Sequence, residues 1–247
     1  LAFWLLFRKN IKTAAGIAAG AATGLLFPAV LLGFDKNWAY LQYWVRNIAL
    51  YGDLMTAKVP LSVNVSVQAQ LYRFFGNGIA FTYHGQPHYL TLFRLPESTL
   101  HVAELFLSVA MLGVIASYAY RFGTSSELVC RWGGAALTLA LVSVFTPFAQ
   151  KHYLVLLLPA FIYIVHVWHV LHLADPWFRR LATGSFVLLF FTNEAFCGEW
   201  LGGIFSGTGC VAWGALLASA AIWRAGECLK SVENSELFQK PHVVLKK

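Results

Sequence analysis

The chain has 247 residues, of which 58% are hydrophobic and 12% are charged, and its formal net charge is +7. Soluble domains carry about 25% charged residues, so this composition excludes an ordinary soluble domain. Apolar runs of about 20 residues match the thickness of a bilayer core. The sequence therefore predicts an all-α, multispanning membrane protein, and membrane orientation explains the positive charge without nucleic acid as a partner.

Apolar runs bounded by charge predict six full transmembrane helices and one partial helix at the start of the chain. The first residues, LAFWLLF, lie inside an apolar run, and we expect them to end a helix in a C-terminal fragment of a longer protein. The full spans are predicted at 13–34, 101–120, 132–149, 153–172, 182–198 and 208–224. A membrane domain, 1–224, is thus followed by a polar tail, 225–247.

Lysine and arginine predict the orientation of these spans. Twelve of the 18 lie in the tail and in short segments on the side of RKNIK at 8–12, and six lie on the opposite side. Short loops rich in positive charge remain cytoplasmic. We therefore expect the C-terminus in the cytoplasm, most simply of a bacterial inner membrane. The segment 35–100 and the polar corner at 150–152 are predicted on the outer side.

The extracytoplasmic segment 35–100 contains two patterned stretches. Residues 37–51, NWAYLQYWVRNIALY, carry the aromatic residues that favour the headgroup zone, and they predict an interfacial helix. Residues 62–70 alternate between polar and apolar, which by period alone predicts a strand. As a helix, the same stretch would place Ser66, Gln70 and Arg73 on one face.

The polar corner lies in TPFAQKHYLVLLLP, 146–159, where Gln150, Lys151 and His152 join two apolar runs. One interpretation is a membrane-edge cation that reaches water along its flexible stem. The other is an anion site, in which Lys and His donate hydrogen bonds to a phosphate at the interface.

A second polar cluster follows Asn64, which also fits a glycosylation sequon with Val65 and Ser66. It is either the wet face of an amphipathic element or a set of groups that binds sugar hydroxyls, with an arginine near a phosphate. Its members are Asn64, Ser66, Gln68, Gln70 and Arg73.

Histidines elsewhere suggest weaker alternatives. His84 and His88, in YHGQPHY, could contribute to a metal site, but no carboxylate completes it, and no metal is predicted. Histidines at 166, 169 and 172 are expected to snorkel at the cytoplasmic edge, the alternative being a polar pathway.

Glu104 and Glu194 lie near predicted outer span ends, as functional carboxylates or as partners of nearby cations. The four cysteines have no metal-binding spacing. Cys197 and Cys210 could pair on the outer side, although two small buried residues are the favoured interpretation.

Two of these stretches together resemble the polyprenyl-phosphate-dependent glycosyltransferases of family 87, formerly DUF2029. In the first stretch, the family pattern of Asn, Gln, Ser, Leu and a later Arg is matched at Asn64, Ser66 and Arg73, with departures at Val65 and Ala69. In the second, its Pro, His and Pro are matched at 147, 152 and 159, with departures at Thr146 and Gln150. The resemblance covers roughly residues 13–175.

The resemblance implies a transferase of the glycosyltransferase C superfamily. Such an enzyme moves a sugar, here expected to be a mannose-like hexose, from a polyprenyl-phosphate donor to a lipid or glycan acceptor outside the cytoplasmic leaflet. It implies that Asn64 to Arg73 begins a helix, capped by Asn or Ser. Membrane lipids and these two substrates are the expected partners. Neither a cofactor nor a divalent metal is expected.

The same resemblance assigns roles to the polar residues. His152 and Arg73 are expected to be the catalytic contacts to phosphate or sugar. The expected substrate-binding residues are Asn64, Ser66, Gln68, Gln150 and Lys151. The base is expected to be an Asp upstream of this chain. A transporter or flippase of a lipid-linked sugar, or a catalytically degenerate relative, are the alternative functions.

Overall fold

The computed structural model describes residues 11–46, 64–123, 125, 128–145, 149, 151–192 and 194–239. At the N-terminal end lie helices α1 (Ile11–Leu26), α2 (Pro28–Leu32) and α3 (Phe34–Trp44). Pro28 begins α2 and Gly33, at φ 84°, separates α2 from α3, so the predicted span 13–34 is a broken helix. The stretch predicted as an interfacial helix, 37–51, is helical where it overlaps α3. Its position at a membrane interface stays a prediction, and residues 47–51 lie outside the described residues.

The segment after residue 63 forms a short helix and a hairpin. Helix α4 (Val67–Phe75) is followed by the antiparallel strands β1 (Ile79–Tyr83) and β2 (Gln86–Tyr89). The strand predicted at 62–70 is therefore wrong, and α4 agrees with the helix implied by the resemblance. The hairpin turn places His84 and Gly85 at φ 48° and 76°, as a two-residue type I′ connection requires.

The remaining chain is a helical bundle. Its elements are α5 (Glu97–Phe122), α6 (Leu128–Phe145), a 3-10 helix (Lys151–Leu157) that leads into α7 (Leu158–Val165), a π-helical turn (His166–Val170), α8 (Pro176–Phe190), α9 (Glu194–Gly207) and α10 (Cys210–Gln239). Helix α10 packs along α8 and α6, and α5 packs on α6.

Small residues allow α10 to lie close to its neighbours. Ala215, Ala218, Ala221 and Ala225 are fully buried, and their spacing of three and four places them on one helix face. Small side chains at such a face let helix backbones approach. Larger side chains complete the core, namely Ile222 of α10 and, from the other helices, Tyr118, Phe122, Leu137, Val144, Tyr163 and Phe178.

One end of the bundle is closed by charged groups. Asp175 caps α8 by accepting a hydrogen bond from the Phe178 amide at 2.8 Å, and it pairs with Arg224 of α10 at 2.8 Å. Glu227 bonds Arg224 at 3.4 Å and Arg121 of α5 at 3.3 Å. Arginines predicted for the cytoplasmic side therefore lie together at one end of the bundle; that this end faces the cytoplasm stays a prediction.

The chain is mostly helical and carries membrane-type helices, as predicted, but the six-span topology is not confirmed. Within the described residues, α5 and α6 are long and apolar enough to cross a bilayer, and α8 with α9 would make a third span if this pair, bent by 89°, counts as one. The run at 182–198 is interrupted at the bend, and 153–172 contains 3-10 and π turns. Helix α10 is long enough, but Arg224 and Glu227 lower its mean hydropathy.

Helix α5 has the surface expected of a membrane helix. Only 11% of its most apolar 18-residue window is buried, against 56% for α6. Leu105 and Phe106 are 66% and 70% exposed. Such contiguous exposed apolar surface is unfavourable in water, whereas a bilayer solvates it.

Candidate functional site

Helix α4 begins at a side-chain cap. Ser66 has an extended backbone, and its Oγ accepts a hydrogen bond from the Ala69 amide at 3.1 Å. This contact satisfies one of the amides that the first turn of a helix leaves without a partner. The cap confirms the predicted N-cap role, and it explains why the alternating pattern at 62–70 does not form a strand.

Asn64 joins the two stretches that carry the family resemblance. Its Oδ1 accepts hydrogen bonds from the Ser66 amide at 3.0 Å and from the Ala149 amide at 3.1 Å. The Val65 amide donates to the Ala149 carbonyl at 2.7 Å. Since Ala149 precedes the polar corner directly, the start of α4 and the corner are adjacent in space, although 85 positions separate Asn64 from Ala149.

A second contact fastens α4 to the end of α6. Gln68 Nε2 donates to the Phe145 carbonyl at 3.0 Å. Asn64, Ser66 and Gln68 are all buried. The described hydrogen bonds of these side chains are to main-chain groups. The burial of Asn64 leaves no room for a glycan at the sequon.

The three corner residues are described only in part. Gln150 lies outside the described residues. Lys151 and His152 begin the 3-10 helix, but their side chains also lie outside what the structure describes. Their predicted contacts to phosphate or sugar stay predictions, and what the structure gives is the position of their backbone, two and three residues beyond the Asn64 contact.

Gln70 and Arg73 reach the end of α9. Arg73 Nη1 donates to the Ser206 carbonyl at 3.4 Å, and its Nε donates to the Ile79 carbonyl at 3.3 Å. With the Gln70 amide nitrogen turned to the Gly207 carbonyl at 2.9 Å, its oxygen accepts from Arg73 Nη1 at 2.6 Å. A cation at the C-terminal end of a helix also meets the negative end of the helix dipole.

Arg73 is 2% exposed, and its burial lowers the pKa of the guanidinium to about 10. Burial disfavours the charged form of a base, which gives the shift its direction. Arg73 is nevertheless charged at neutral pH, because the pKa remains well above 7. Its expected contact to a phosphate stays a prediction, while its described hydrogen bonds go to Gln70 and main-chain carbonyls.

An apolar cavity of about 420 Å³ lies beside α4. Helix α4 forms one wall, the start of α10 forms the opposite wall, and α5 and α6 contribute one residue each. Among the described residues that line it, Gln70 is the polar one. The full lining is Val67, Gln70, Leu71, Phe74, Phe75, Leu107, Phe145, Ala212, Trp213 and Leu216.

The histidines of the hairpin pack against aromatic rings. His88 stacks on Phe81 at a centroid distance of 4.7 Å, and His84 contacts Tyr83 at 4.1 Å. Trp200 of α9 stands nearly perpendicular to the His88 ring at 5.3 Å. In the described part of the chain, no group of three or more His, Cys, Asp or Glu side chains is placed to hold a metal ion.

The cysteine and remaining histidine candidates have simple placements. All four thiols are free, so Cys197 and Cys210 do not form the disulfide that was the less favoured alternative, and both residues are half-buried rather than fully buried. His166 contacts the Trp132 ring, and His169 stacks on Trp168. Of the two carboxylates, Glu104 is half-buried on α5, and Glu194 is exposed at the start of α9.

The role of α9 at this site was not predicted from residue types. The carbonyls of Ser206 and Gly207 receive the polar end of α4, and main-chain groups carry no signal in a sequence. The usable signal was the glycine spacing, because added Cβ atoms at Gly203 and Gly209 would lie 2.8 Å from Phe81 and Gln70. Glycines at such positions mark a close approach of two backbones.

Comparisons with known proteins give no further assignment: no family model, no curated protein and no solved structure matches this chain. The class that the described residues support is a helical membrane protein with a polar, buried junction at one end of the bundle.

Proposed function

We propose that the chain is the substrate-holding part of a membrane glycosyltransferase. It would move a hexose from a polyprenyl-phosphate donor to a lipid or glycan acceptor. The observation that carries this proposal is the apolar cavity beside α4, next to the junction where Asn64 meets Ala149. A donor with a long apolar chain and one anionic end requires this combination of an apolar site and a polar site.

The cavity suits the hydrocarbon part of such a donor. Its volume of about 420 Å³ lies within the range of about 300–1,000 Å³ that is usual for small-molecule sites. Leu107 of α5 and Leu216 of α10 contribute to its lining, so the cavity adjoins helices of the membrane bundle. A chain entering from the bilayer would exchange one apolar environment for another, without desolvating polar groups.

The phosphate is assigned to the corner. Lys151 and His152 follow Ala149, which Asn64 holds against the start of α4. A lysine and a histidine there would donate hydrogen bonds to a phosphate, and charge-assisted bonds of this type are the stronger ones. Asn64 then serves the site by fixing the depth of the corner, rather than through a free amide.

The reaction itself is a substitution at the anomeric carbon of the sugar. The acceptor hydroxyl oxygen forms a bond to that carbon, and the bond from the carbon to the phosphate oxygen breaks. The electron pair leaves on the phosphate, where donors from Lys151 and His152 stabilise the developing charge. A base takes the hydroxyl proton.

The buried hydroxyls of the helices favour an enzyme over a transporter. A transporter needs polar groups that line a pathway through the bilayer. The described buried serine and threonine hydroxyls of these helices instead donate to main-chain carbonyls within the bundle. They belong to Thr138, Ser143, Ser185 and Ser219. The polar side chain in the described lining of the cavity is Gln70 of α4.

A catalytically inactive relative is the second candidate, and one observation favours it. The substrate-binding roles expected for Asn64, Ser66 and Gln68 require polar atoms that face a ligand, whereas main-chain groups engage Asn64 Oδ1, Ser66 Oγ and Gln68 Nε2. In this case the junction would be purely structural, and the cavity would hold a membrane lipid.

Transfer of labelled sugar from a polyprenyl-phosphate donor, measured in membranes that contain the protein, separates the two candidates. Loss of a donor to developing charge lowers a rate by about 10²–10³-fold, which is the effect expected for His152→Ala. His169→Ala is the matched control, because His169 is exposed at the opposite end of the same helical segment. Undiminished transfer by His152→Ala removes His152 from the mechanism. Wild-type protein that transfers sugar from no donor refutes the enzyme.

A further inference from the structure

We infer that Arg73 and Gln70 are positioning residues that set the shape of the apolar cavity and thereby select the hydrocarbon chain that it takes. The inference rests on the proposed function, because it needs a chain-bearing ligand in the cavity. It assigns to Arg73 a role different from the phosphate contact that the sequence predicts.

The link from Arg73 to the cavity is the connection between α9 and α10. Arg73 and Gln70 bind the carbonyls of Ser206 and Gly207, the last two residues of α9. Only Thr208 and Gly209 separate that helix end from α10. The first turns of α10 then supply the cavity wall that faces α4.

Hydrogen bonds join the connection between α9 and α10 to this wall. The amide of Trp213, a lining residue, donates to the Gly209 carbonyl at 2.9 Å, and its indole Nε1 donates to the Thr208 carbonyl at 3.1 Å. A displacement of the connection therefore displaces Trp213. Since α4 carries both the opposite wall and the two residues that hold the connection, the separation of the walls depends on those contacts.

The Gln70 side chain packs tightly against the connection between α9 and α10. A Cβ built on Gly209 would lie 2.8 Å from Gln70 Cδ, and one on Gly207 would lie 3.1 Å from Ala80 Cβ. Gln70 also lines the cavity itself. Its side chain thus contacts the connection on one side and lines the cavity on the other. A shift of the Gln70 amide therefore changes the position of the connection and the shape of the cavity.

Arginine has a geometry that lysine cannot fully reproduce here. The planar guanidinium reaches the Ile79 carbonyl, the Ser206 carbonyl and Gln70 at once. A lysine ammonium is a compact charge on a flexible stem, so it retains the attraction to the helix end while losing the fixed fork. Arg73→Lys should therefore restore part, but not all, of what Arg73→Gln loses.

The experiment measures photolabelling by a series of diazirine-bearing prenyl and alkyl phosphates of increasing chain length. The wild type should show a preferred length. Arg73→Gln should weaken labelling at that length by about tenfold and flatten the length profile, with an intermediate profile for Arg73→Lys. Arg94→Gln is the matched control, since Arg94 lies in the same segment and is exposed.

A second variant covers misfolding of Arg73→Gln. Gln70→Met keeps the length of the side chain and the apolar character of the lining, but removes the bond to Gly207. It should change the length profile in the same direction. Profiles of Arg73→Lys and Gln70→Met that match the wild type overturn the inference and leave the proposed function standing. A wild type that no probe labels in the cavity overturns both.

Discussion

Replacing Asn64 by alanine should destabilise the protein far more than the loss of one polar side chain at a surface. Asn64 Oδ1 accepts from the Ser66 and Ala149 amides, and Asn64 is 2% exposed. Alanine leaves both amides buried without this acceptor. Each buried donor without a partner costs about 1–3 kcal/mol, so the free energy of unfolding should fall by about 2–6 kcal/mol.

Ser66→Ala is the matched comparison, because it removes the α4 cap and leaves the bridge to Ala149 in place. Loss of a serine cap costs about 1 kcal/mol. Unfolding can be followed in detergent micelles with a thiol-reactive dye that reports exposure of Cys130, which is fully buried, after the other three cysteines are replaced by alanine. If Asn64→Ala loses no more stability than Ser66→Ala, the bridge between the two segments does not hold the junction together.

Two further predictions concern the charged end of the bundle and the packing of α9. Hydrogen bonds from Arg224, and then from the Phe178 amide, hold the pKa of Asp175 below its usual value; the stabilisation is therefore present at neutral pH and is lost as pH falls through this lowered pKa. Asp175→Asn, which keeps the cap, should lower the free energy of unfolding by up to about 1 kcal/mol at pH 7, since Arg224 is partly exposed. In a pH series of melting curves, the melting temperatures of wild type and variant should converge in acid. A difference in melting temperature that stays constant with pH would exclude the charge as its cause. Gly203→Ala should lower the free energy of unfolding by about 1–3 kcal/mol through overpacking, because the new Cβ meets Phe81 at 2.8 Å. Equal melting temperatures for this variant and the wild type would show that α9 shifts away from Phe81 without a loss of stability.

The class of fold was predictable from the sequence, whereas the breaks in its helices were not. Apolar runs reflect the bilayer, so the membrane helices α5 and α6 were predictable from composition and length. The breaks were harder to predict, because hydropathy averages over a window and does not register Gly33 at φ 84° or the bend between α8 and α9.

The geometry of the site was only partly predictable. The period-two pattern at 62–70 favoured a strand, and the Ser66 cap decided the local structure for a helix. The family resemblance predicted that Arg73 contacts phosphate or sugar, which stays a prediction, and no residue pattern indicated that its guanidinium binds the Ser206 carbonyl, 133 positions away. Main-chain acceptors have no sequence signature, so a polar side chain aimed at them looks like one aimed at a ligand.

The central claim, that the cavity beside α4 holds the hydrocarbon chain of a lipid-linked sugar, can be tested directly by mapping a photolabel. A polyprenyl-phosphate sugar with a diazirine on its chain would be irradiated with the wild-type protein, and the labelled peptides would be sequenced. Labels are expected in α4 and in the first turns of α10, around Leu71 and Leu216, and they should be lost when unlabelled donor is added. Labels confined to the exposed surface of α5, at Leu105 and Phe106, and unaffected by unlabelled donor would contradict the central claim.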